Sequence, residues 1–189
     1  MKTTQTDLIS TECSDRALFA HGTAQIFLAR SIKYKNHLRL LSFVGLAGPL
    51  IVGAVVIHGL VTDMSLLLPV VGIVSVLELL VSAWSLAASW TENLGYAQRS
   101  TAENLALSSS FRELAQRALN PPDDLEVRFA DLRGRDEARR AADADQGVTA
   151  KEKRYGLHAG LLHFQRECVA CKVKPVSMDS TNCKVCGEF

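Results

Sequence analysis

The chain has 189 residues, and its 21 Lys and Arg are almost balanced by 20 Asp and Glu. A net charge of +1 excludes an overall electrostatic bias toward nucleic acid, so direct nucleic-acid binding is not expected. Aromatic residues make up 6% of the chain, too few for a large conventional core beyond its apolar stretch.

Residues 1–37 are read as a cytoplasmic N-terminal helix. Met1 to Ser14 is polar, and the first apolar run starts too far in and is too long for a secretory signal, so the chain is expected to be inserted and uncleaved. Asp15 to Tyr34 lacks Pro and carries Leu18, Phe19, Ile26, Phe27 and Ile32, the pattern of an amphipathic helix.

Two apolar runs follow. Leu38 to Leu60 is apolar or small apart from Arg39 and His58, and Ser65 to Ala88 is of similar length. About 20 such residues suffice to cross a hydrocarbon core, so 38–60 and 65–88 are read as two transmembrane helices. Only Val61, Thr62, Asp63 and Met64 lie between them, which implies an antiparallel hairpin. Arg30, Lys33, Lys35 and Arg39 crowd the approach to the first run, and the link carries only Asp63. That asymmetry places both termini in the cytoplasm of a bacterial inner membrane, with the chain multi-pass and lipid its first partner. Trp84 and Trp90 suit the interface at the cytoplasmic end.

Within the first run, Gly45, Gly48, Pro49 and Gly53 make a thin stretch where another helix could approach closely, or reflect the ordinary Gly and Pro enrichment of membrane helices. In the second, Glu78 near the centre would cost roughly 2.5 to 3.5 kcal/mol if charged in lipid. Ser75, Glu78, Ser82, Ser85 and Ser89 follow a 3,4,3,4 spacing along one helix seam. One hairpin hides such a seam poorly, so a homo-oligomer is expected, with the seam either lining a pore or gluing helices together.

Residues 89–148 are read as a cytoplasmic helical region. Thr91 to Leu119 carries a broken stripe of Leu94, Leu105, Phe111 and Leu114, and Pro121 and Pro122 end it. Asp123 or Asp124 caps a further helix with Leu125, Phe129 and Leu132 on one face, and Gly134 to Val148 reads as a solvated helix end and linker. Residues 149–189 form a last helix and a zinc-ribbon-like tail. Thr149 and Glu152 make a capping box for a helix from Ala150 to about Arg166, packing through Tyr155, Ala159 and Leu162.

The strongest motif closes the chain. Cys168-Val-Ala-Cys171 and Cys183-Lys-Val-Cys186 are two C-x-x-C knuckles eleven residues apart. Each pair can bite one ion with two thiolates, and together they fill a tetrahedral site with no open position. One structural Zn²⁺ is expected, ahead of an iron–sulfur centre or redox dithiols. Gly187 suits the tight knuckle turn, and Cys13 is a leftover thiol. His21, His37, His58, His158 and His163 are scattered; His158 and His163 are candidate alternative ligands, though a surface or packing role suits them better. There is no Gly-rich phosphate loop and no paired-carboxylate arrangement, so no catalytic residue is assigned and the chain is not expected to be an enzyme.

The fold class that emerges is an all-α membrane protein: a transmembrane helical hairpin extended by cytoplasmic helices, with a small four-cysteine zinc knuckle. A two-span hairpin with long cytoplasmic helices resembles the SLATT family of prokaryotic membrane effectors, associated with nucleotide-signalling and other conflict systems. The spacing of Cys168, Cys171, Cys183 and Cys186 is similar to that of the mobilome CxxCx(11)CxxC proteins encoded on bacterial mobile elements. The SLATT resemblance implies a pore-forming or membrane-perturbing effector in anti-phage defence, triggered by a sensor protein. The alternative is a membrane-anchored zinc-knuckle adaptor that recruits a protein or nucleic acid.

Overall fold

The computed structural model describes residues 2–57, 64–87, 89–118 and 121–189, the side chains of 2–4, 49, 51–57, 64–68, 70, 71, 78 and 85–87 excepted. Five helices occupy most of these: α1 (Lys2–Ile57), α2 (Met64–Ala87), α3 (Trp90–Arg117), α4 (Leu125–Ala144) and α5 (Ala150–Phe164). Contacts divide the chain into two units, Met1–Ala29 with Ala97–Phe189, and Arg30–Tyr96.

The first unit is built on a stripe of α1. Ile9, Cys13, Ala17 and Ala20 recur at helical spacing and are buried with Leu107, Phe111 and Leu114 of α3, then Ala118, and Leu125 and Leu132 of α4. Of the expected apolar residues of α1, Leu18, Ile26 and Phe27 are buried, whereas Phe19 and Ile32 are exposed. Cys13 is a core residue: burial, with the charge of Glu12 adding and Arg16 opposing, pushes its thiol up to about 11. A thiol in that state behaves as a small hydrophobe.

The stretch 134–148 is, as expected, the end of α4 and a short link from 145 to 148, but the helix end is not wholly solvated, because two of its acids are buried. Asp136 accepts hydrogen bonds from Arg16 of α1 at 2.7 Å and Arg140 at 3.1 Å. Asp143 accepts from Ser100 Oγ and Asn104 Nδ2 of α3, both at 2.8 Å, and from Arg139 at 2.7 Å. The partners on α1 and α3 are far off in sequence, so the run of charges reads as solvated when taken alone.

α5 opens on the expected capping box. The Thr149 hydroxyl accepts from the Glu152 N–H at 3.2 Å, and the Thr149 N–H donates back to the Glu152 carboxylate at 2.8 Å. Its inward face differs from the expected one: Gly156, His158, Ala159, Gly160 and Leu161 are buried, while Tyr155 and Leu162 are only half-buried. Glycines cause the rotation. A Cβ on Gly22 of α1 would run into the carbonyl oxygen of Gly156; one on Gly156 would sit 2.7 Å from the Gly22 oxygen, and one on Gly160 2.8 Å from that of Leu18. α1 and α5 therefore cross backbone against backbone. Gly22→Ala is expected to cost about 1–3 kcal/mol by overpacking, since the obstacle is main chain and cannot rotate away. Urea unfolding checks this, with Gly95→Ala, where a Cβ meets nothing within 4 Å, as the harmless control.

Where α1, α3 and α5 meet, His21 and His163 stack with ring centroids 4.0 Å apart and planes 15° from parallel, and Phe164 lies edge-on to both. Burial, then the neighbouring His163, lowers His21 from 6.5 to about 4. A neutral His21 thus stabilises the fold fully above pH 6.5, and that contribution drains away as pH falls from 6.5 to 4. The unfolding midpoint is expected to drop across this window. In a His21→Phe variant the drop should shrink; an unchanged profile would refute the assignment.

In the second unit, Trp90 stacks on His37 with centroids 5.3 Å apart. Among the described residues, no helix is long and apolar enough to cross a membrane. This corrects the expectation of a multi-pass inner-membrane protein with a transmembrane hairpin, and the lipid partner expected with it is not carried further. The run from Leu38 is the far part of α1, which ends at Ile57, while residues 58–60, including His58, and the link Val61, Thr62 and Asp63 lie outside the described residues. α2 carries Pro69 within it, and a proline inside a helix leaves a main-chain carbonyl without its helical partner.

The serine seam is only partly placed. Ser75 and Ser82 are exposed on α2, and the side chains of Glu78 and Ser85 lie outside the described residues. Ser89 leaves the seam: it stands in the turn after α2 at φ 48°, its carbonyl accepting from the Asn93 N–H at 2.9 Å. Of the glycine stretch, Gly45 is exposed with nothing within 4 Å of a Cβ and Gly48 is half-buried. α1 runs on through Pro49 and Gly53, of which nothing beyond the backbone is described. Leu40, Phe43, Leu46 and Leu50 of α1 and Ile73, Leu79, Leu80 and Trp84 of α2 are exposed.

Candidate metal centre

The metal centre starts from the way α5 ends. Gln165 adopts a left-handed conformation at φ 54°, its N–H turned back to the carbonyls of Leu161 and Leu162, and the Arg166 N–H bonds to Leu161 O at 3.0 Å. This cap satisfies the last carbonyls and reverses the chain, so the tail folds back over the helix it has just left. Cys168 and Cys186 are buried with Leu18 of α1 and Leu161 of α5, and Leu157, Phe164 and Cys183 pack around them.

Each knuckle closes in the same way. The N–H of the residue after the second cysteine bonds to the carbonyl of the first: Lys172 to Cys168 at 2.9 Å, and Gly187 to Cys183 at 2.7 Å. Lys172 takes φ 57°, a left-handed conformation reached here without glycine. Gly187 is needed for a different reason from the one its position suggests. It is packed against Thr181, whose carbonyl oxygen a Cβ would strike, and the Glu188 N–H bonds to that same oxygen at 2.8 Å. Close approach, not turn geometry, requires the glycine.

The sulfurs of Cys168, Cys171, Cys183 and Cys186 all lie within 4.8 Å of one another, with Cys171 and Cys186 3.9 Å apart. A tetrahedral ion with metal–sulfur bonds of about 2.3 Å sets its sulfurs about 3.8 Å apart, so the cluster can hold one metal ion. All five cysteines are free thiols, and a sulfur separation of 3.9 Å is far beyond a disulfide bond of about 2.05 Å. The electrostatics agree. N–H groups of Cys186 and Val185 aimed at the Cys183 sulfur hold it down to about 6. Burial opposes ionisation of Cys168, but the N–H groups of Cys171 and Ala170 and the neighbouring thiols outweigh it and hold it below its ordinary value. Burial and then the crowding sulfurs drive Cys186 the other way. Four thiolates this close need a cation among them; without one, a sulfur must keep its proton.

His158, a candidate alternative ligand for which a surface or packing role was the better expectation, is a buried residue that joins the centre to α5. It is 2% exposed. Its Nδ1 lies 2.7 Å from the carbonyl oxygen of Cys186, and its Nε2 lies 2.8 Å from that of Ser177 in the loop between the knuckles. Both carbonyls accept, so the ring bonds to both at once only with an N–H on each nitrogen, and that leaves no lone pair for a fifth ligand. His163, the other candidate ligand, is in the stack with His21. A weak signal was present in the sequence: His158 stands beside Ala159 and Leu161, in the register of the face that α5 buries. Phe189 packs on the rings of Tyr155 and His158, and Arg154 donates to the Glu188 carbonyl at 3.0 and 3.2 Å.

The surface around the centre is apolar at its tips. Val169 is 78% exposed and Val176 90%, and Val173 and Val185 are exposed beside Lys172, Lys174 and Lys184. A crevice of about 350 Å³ runs between the knuckles, lined by Cys171, Val173, Pro175, Thr181, Asn182 and Cys183 among others.

A family model described as Mobilome CxxCx(11)CxxC protein matches residues 10–189, so the resemblance seen in the cysteine spacing extends over the helices as well. The resemblance to SLATT effectors finds no support. No curated protein and no solved structure matches the chain.

Proposed function

Because the chain belongs to the family of Mobilome CxxCx(11)CxxC proteins, we propose that it is a zinc-clasped helical adaptor of mobile elements that recruits a partner protein and performs no chemistry of its own. The observation that carries this reading is the closed set of four sulfurs within 4.8 Å. Four thiolates leave no coordination position for water or substrate, so the ion is structural, and Zn²⁺ suits an all-thiolate tetrahedral site without redox chemistry. Valines stand exposed on the chain the ion organises, and exposed apolar residues of that kind favour a protein partner over nucleic acid. The pore-forming defence effector expected from the hairpin depended on spanning segments and does not enter this reading.

The apolar surface of the second unit supports self-association, and a homo-oligomer is part of the proposal. Sedimentation of the loaded chain tests it: a monomer at micromolar concentration would remove it. The adaptor reading is tested by placing a photo-crosslinking residue at Val169 or Val176 in cells that carry the mobile element. A crosslink to one defined protein, lost in a Cys168→Ser chain, is the expected result. Crosslinks to nucleic acid, or the same yield from a crosslinker at exposed Arg112, would overturn it. Metal analysis is expected to give one zinc per chain and a colourless protein; visible absorption from an iron–sulfur centre would overturn the zinc assignment.

A further inference from the structure

We propose that His158 is the positioning residue of the metal centre, a staple on α5 that holds both the second knuckle and the inter-knuckle loop and thereby sets how long the metal is retained. The inference rests on the four-thiolate metal reading above. A ring buried to 2% with each nitrogen within 2.8 Å of a different main-chain carbonyl fixes three pieces of chain at once. One contact is to the carbonyl of Cys186, itself a ligand, so the staple acts on the backbone that aims the Cys186 sulfur. The other is to Ser177, in the middle of the loop separating the two C-x-x-C pairs.

Each segment has little else of this kind to hold it. In the loop, Ser177 Oγ donates to Asp179 at 2.6 Å, a contact local to the loop itself. Pro175 is buried, and the Cys168 N–H donates to the Val173 carbonyl at 3.0 Å, ties made within the tail, while Val173 and Val176 are exposed. The second knuckle has its own closure at Gly187 and the contact of Glu188 with Thr181, both internal to the tail. Beyond the apolar packing of Cys168 and Cys186 and of Phe189 on Tyr155 and His158, the tail is tied to α5 by the His158 ring nitrogens and by the exposed Arg154 contacts. A ligand set arranged by main-chain geometry loses its ion when that geometry relaxes. Residues that orient the ligands from behind typically change metal affinity by about 10–100-fold.

The test compares full-length, zinc-loaded chains by the rate at which a chromophoric chelator removes the metal. His158→Phe keeps a flat ring in the cavity but cannot bond to either carbonyl, and is expected to release zinc about 10–100-fold faster. His158→Gln offers one amide donor in place of two ring nitrogens and is expected to lie between Phe and the wild type. The cobalt-loaded forms should all keep the charge-transfer bands of four thiolates, which separates faster release from loss of a ligand. Amide exchange in 173–182 should quicken in loaded His158→Phe and not in Tyr155→Ala, which removes the ring packed on Phe189 and leaves the staple intact.

His158→Phe releasing zinc within twofold of the wild type would overturn the proposal. So would Tyr155→Ala matching it, since generic loosening would then explain the effect. If His158→Phe does not fold, His158→Gln decides by the same criterion: release at the wild-type rate overturns the staple, and faster release with cobalt bands intact supports it. A wild-type chain that retains no zinc overturns the metal reading and this inference together, whereas a well-loaded wild type with an inert His158→Phe overturns the staple alone.

Discussion

Stripping the metal from the loaded chain is expected to unfold the tail and to loosen the crossing of α1 with α5, while the core of α1, α3 and α4 survives. The size of the effect follows from the magnitudes. Structural zinc sites contribute about 10–16 kcal/mol of apparent binding energy at neutral pH, as much as the whole stability of a typical domain, about 5–15 kcal/mol. A tail in which Val169, Val173 and Val176 are exposed has no core of its own to replace that energy. The effect reaches the helices because Cys168 and Cys186 share one apolar cluster with Leu18 of α1 and Leu161 of α5. Amide exchange is the measurement. The N–H groups of Lys172, Gly187 and Glu188 should lose protection entirely, those near Gly22 and Gly156 in part, and those around Phe111 not at all. Loss of all helical signal on chelation would show that the metal nucleates the whole fold; unchanged protection of the knuckles would show that the tail folds without it. Cys168→Ser should reproduce the result without a chelator.

Asp136→Ala is expected to be the most damaging single substitution away from the sulfurs. Its carboxylate is 1% exposed and lies between Arg16 and Arg140. Removing one member of a buried pair leaves the other uncompensated, at a cost of about 3–5 kcal/mol. The lower end applies here, because Arg140 reaches solvent and Arg16 retains Glu12 at 2.9 Å. A lowered urea midpoint at unchanged slope is the expected reading. Replacing Arg16 and Asp136 together by apolar residues of similar size should recover much of the loss, as swaps of whole buried pairs often do. A double variant as unstable as Asp136→Ala would argue that packing rather than charge holds α4.

What the sequence discloses here is what depends on neighbours along the chain. The capping box at Thr149 and Glu152, the end of α3 ahead of Pro121 and Pro122, and the pairing of two C-x-x-C knuckles are all set by residues within a few positions of one another. The four-cysteine cluster was legible for that reason, and the family match extends it over the helices. The packing was much less legible. Gly22 and Gly156 are 134 positions apart, and nothing near either one announces that their backbones touch. Asp136 and Asp143 look like any solvated acids until Arg16, Ser100 and Asn104 are brought to them. His158 looked like a stray histidine because its partners are carbonyls, which every residue has. Apolar length was the misleading signal: it measures a run of residues and takes no account of the longer helix that the run belongs to. Leu38 falls in the interior of α1, and Ser89 falls in the turn that follows α2.

The burial of Cys13 gives the chain an internal counter. With its thiol pushed up to about 11 and no solvent exposure, it is closed to alkylating reagents while the helical core is intact. A metal-loaded chain should therefore label at close to no sulfurs and a chelated chain at four. The fifth sulfur reacts only when α1, α3 and α4 come apart. Counting labels by mass in a single sample would then read two separate events, release of the metal and opening of the core, from the sulfurs the chain already carries.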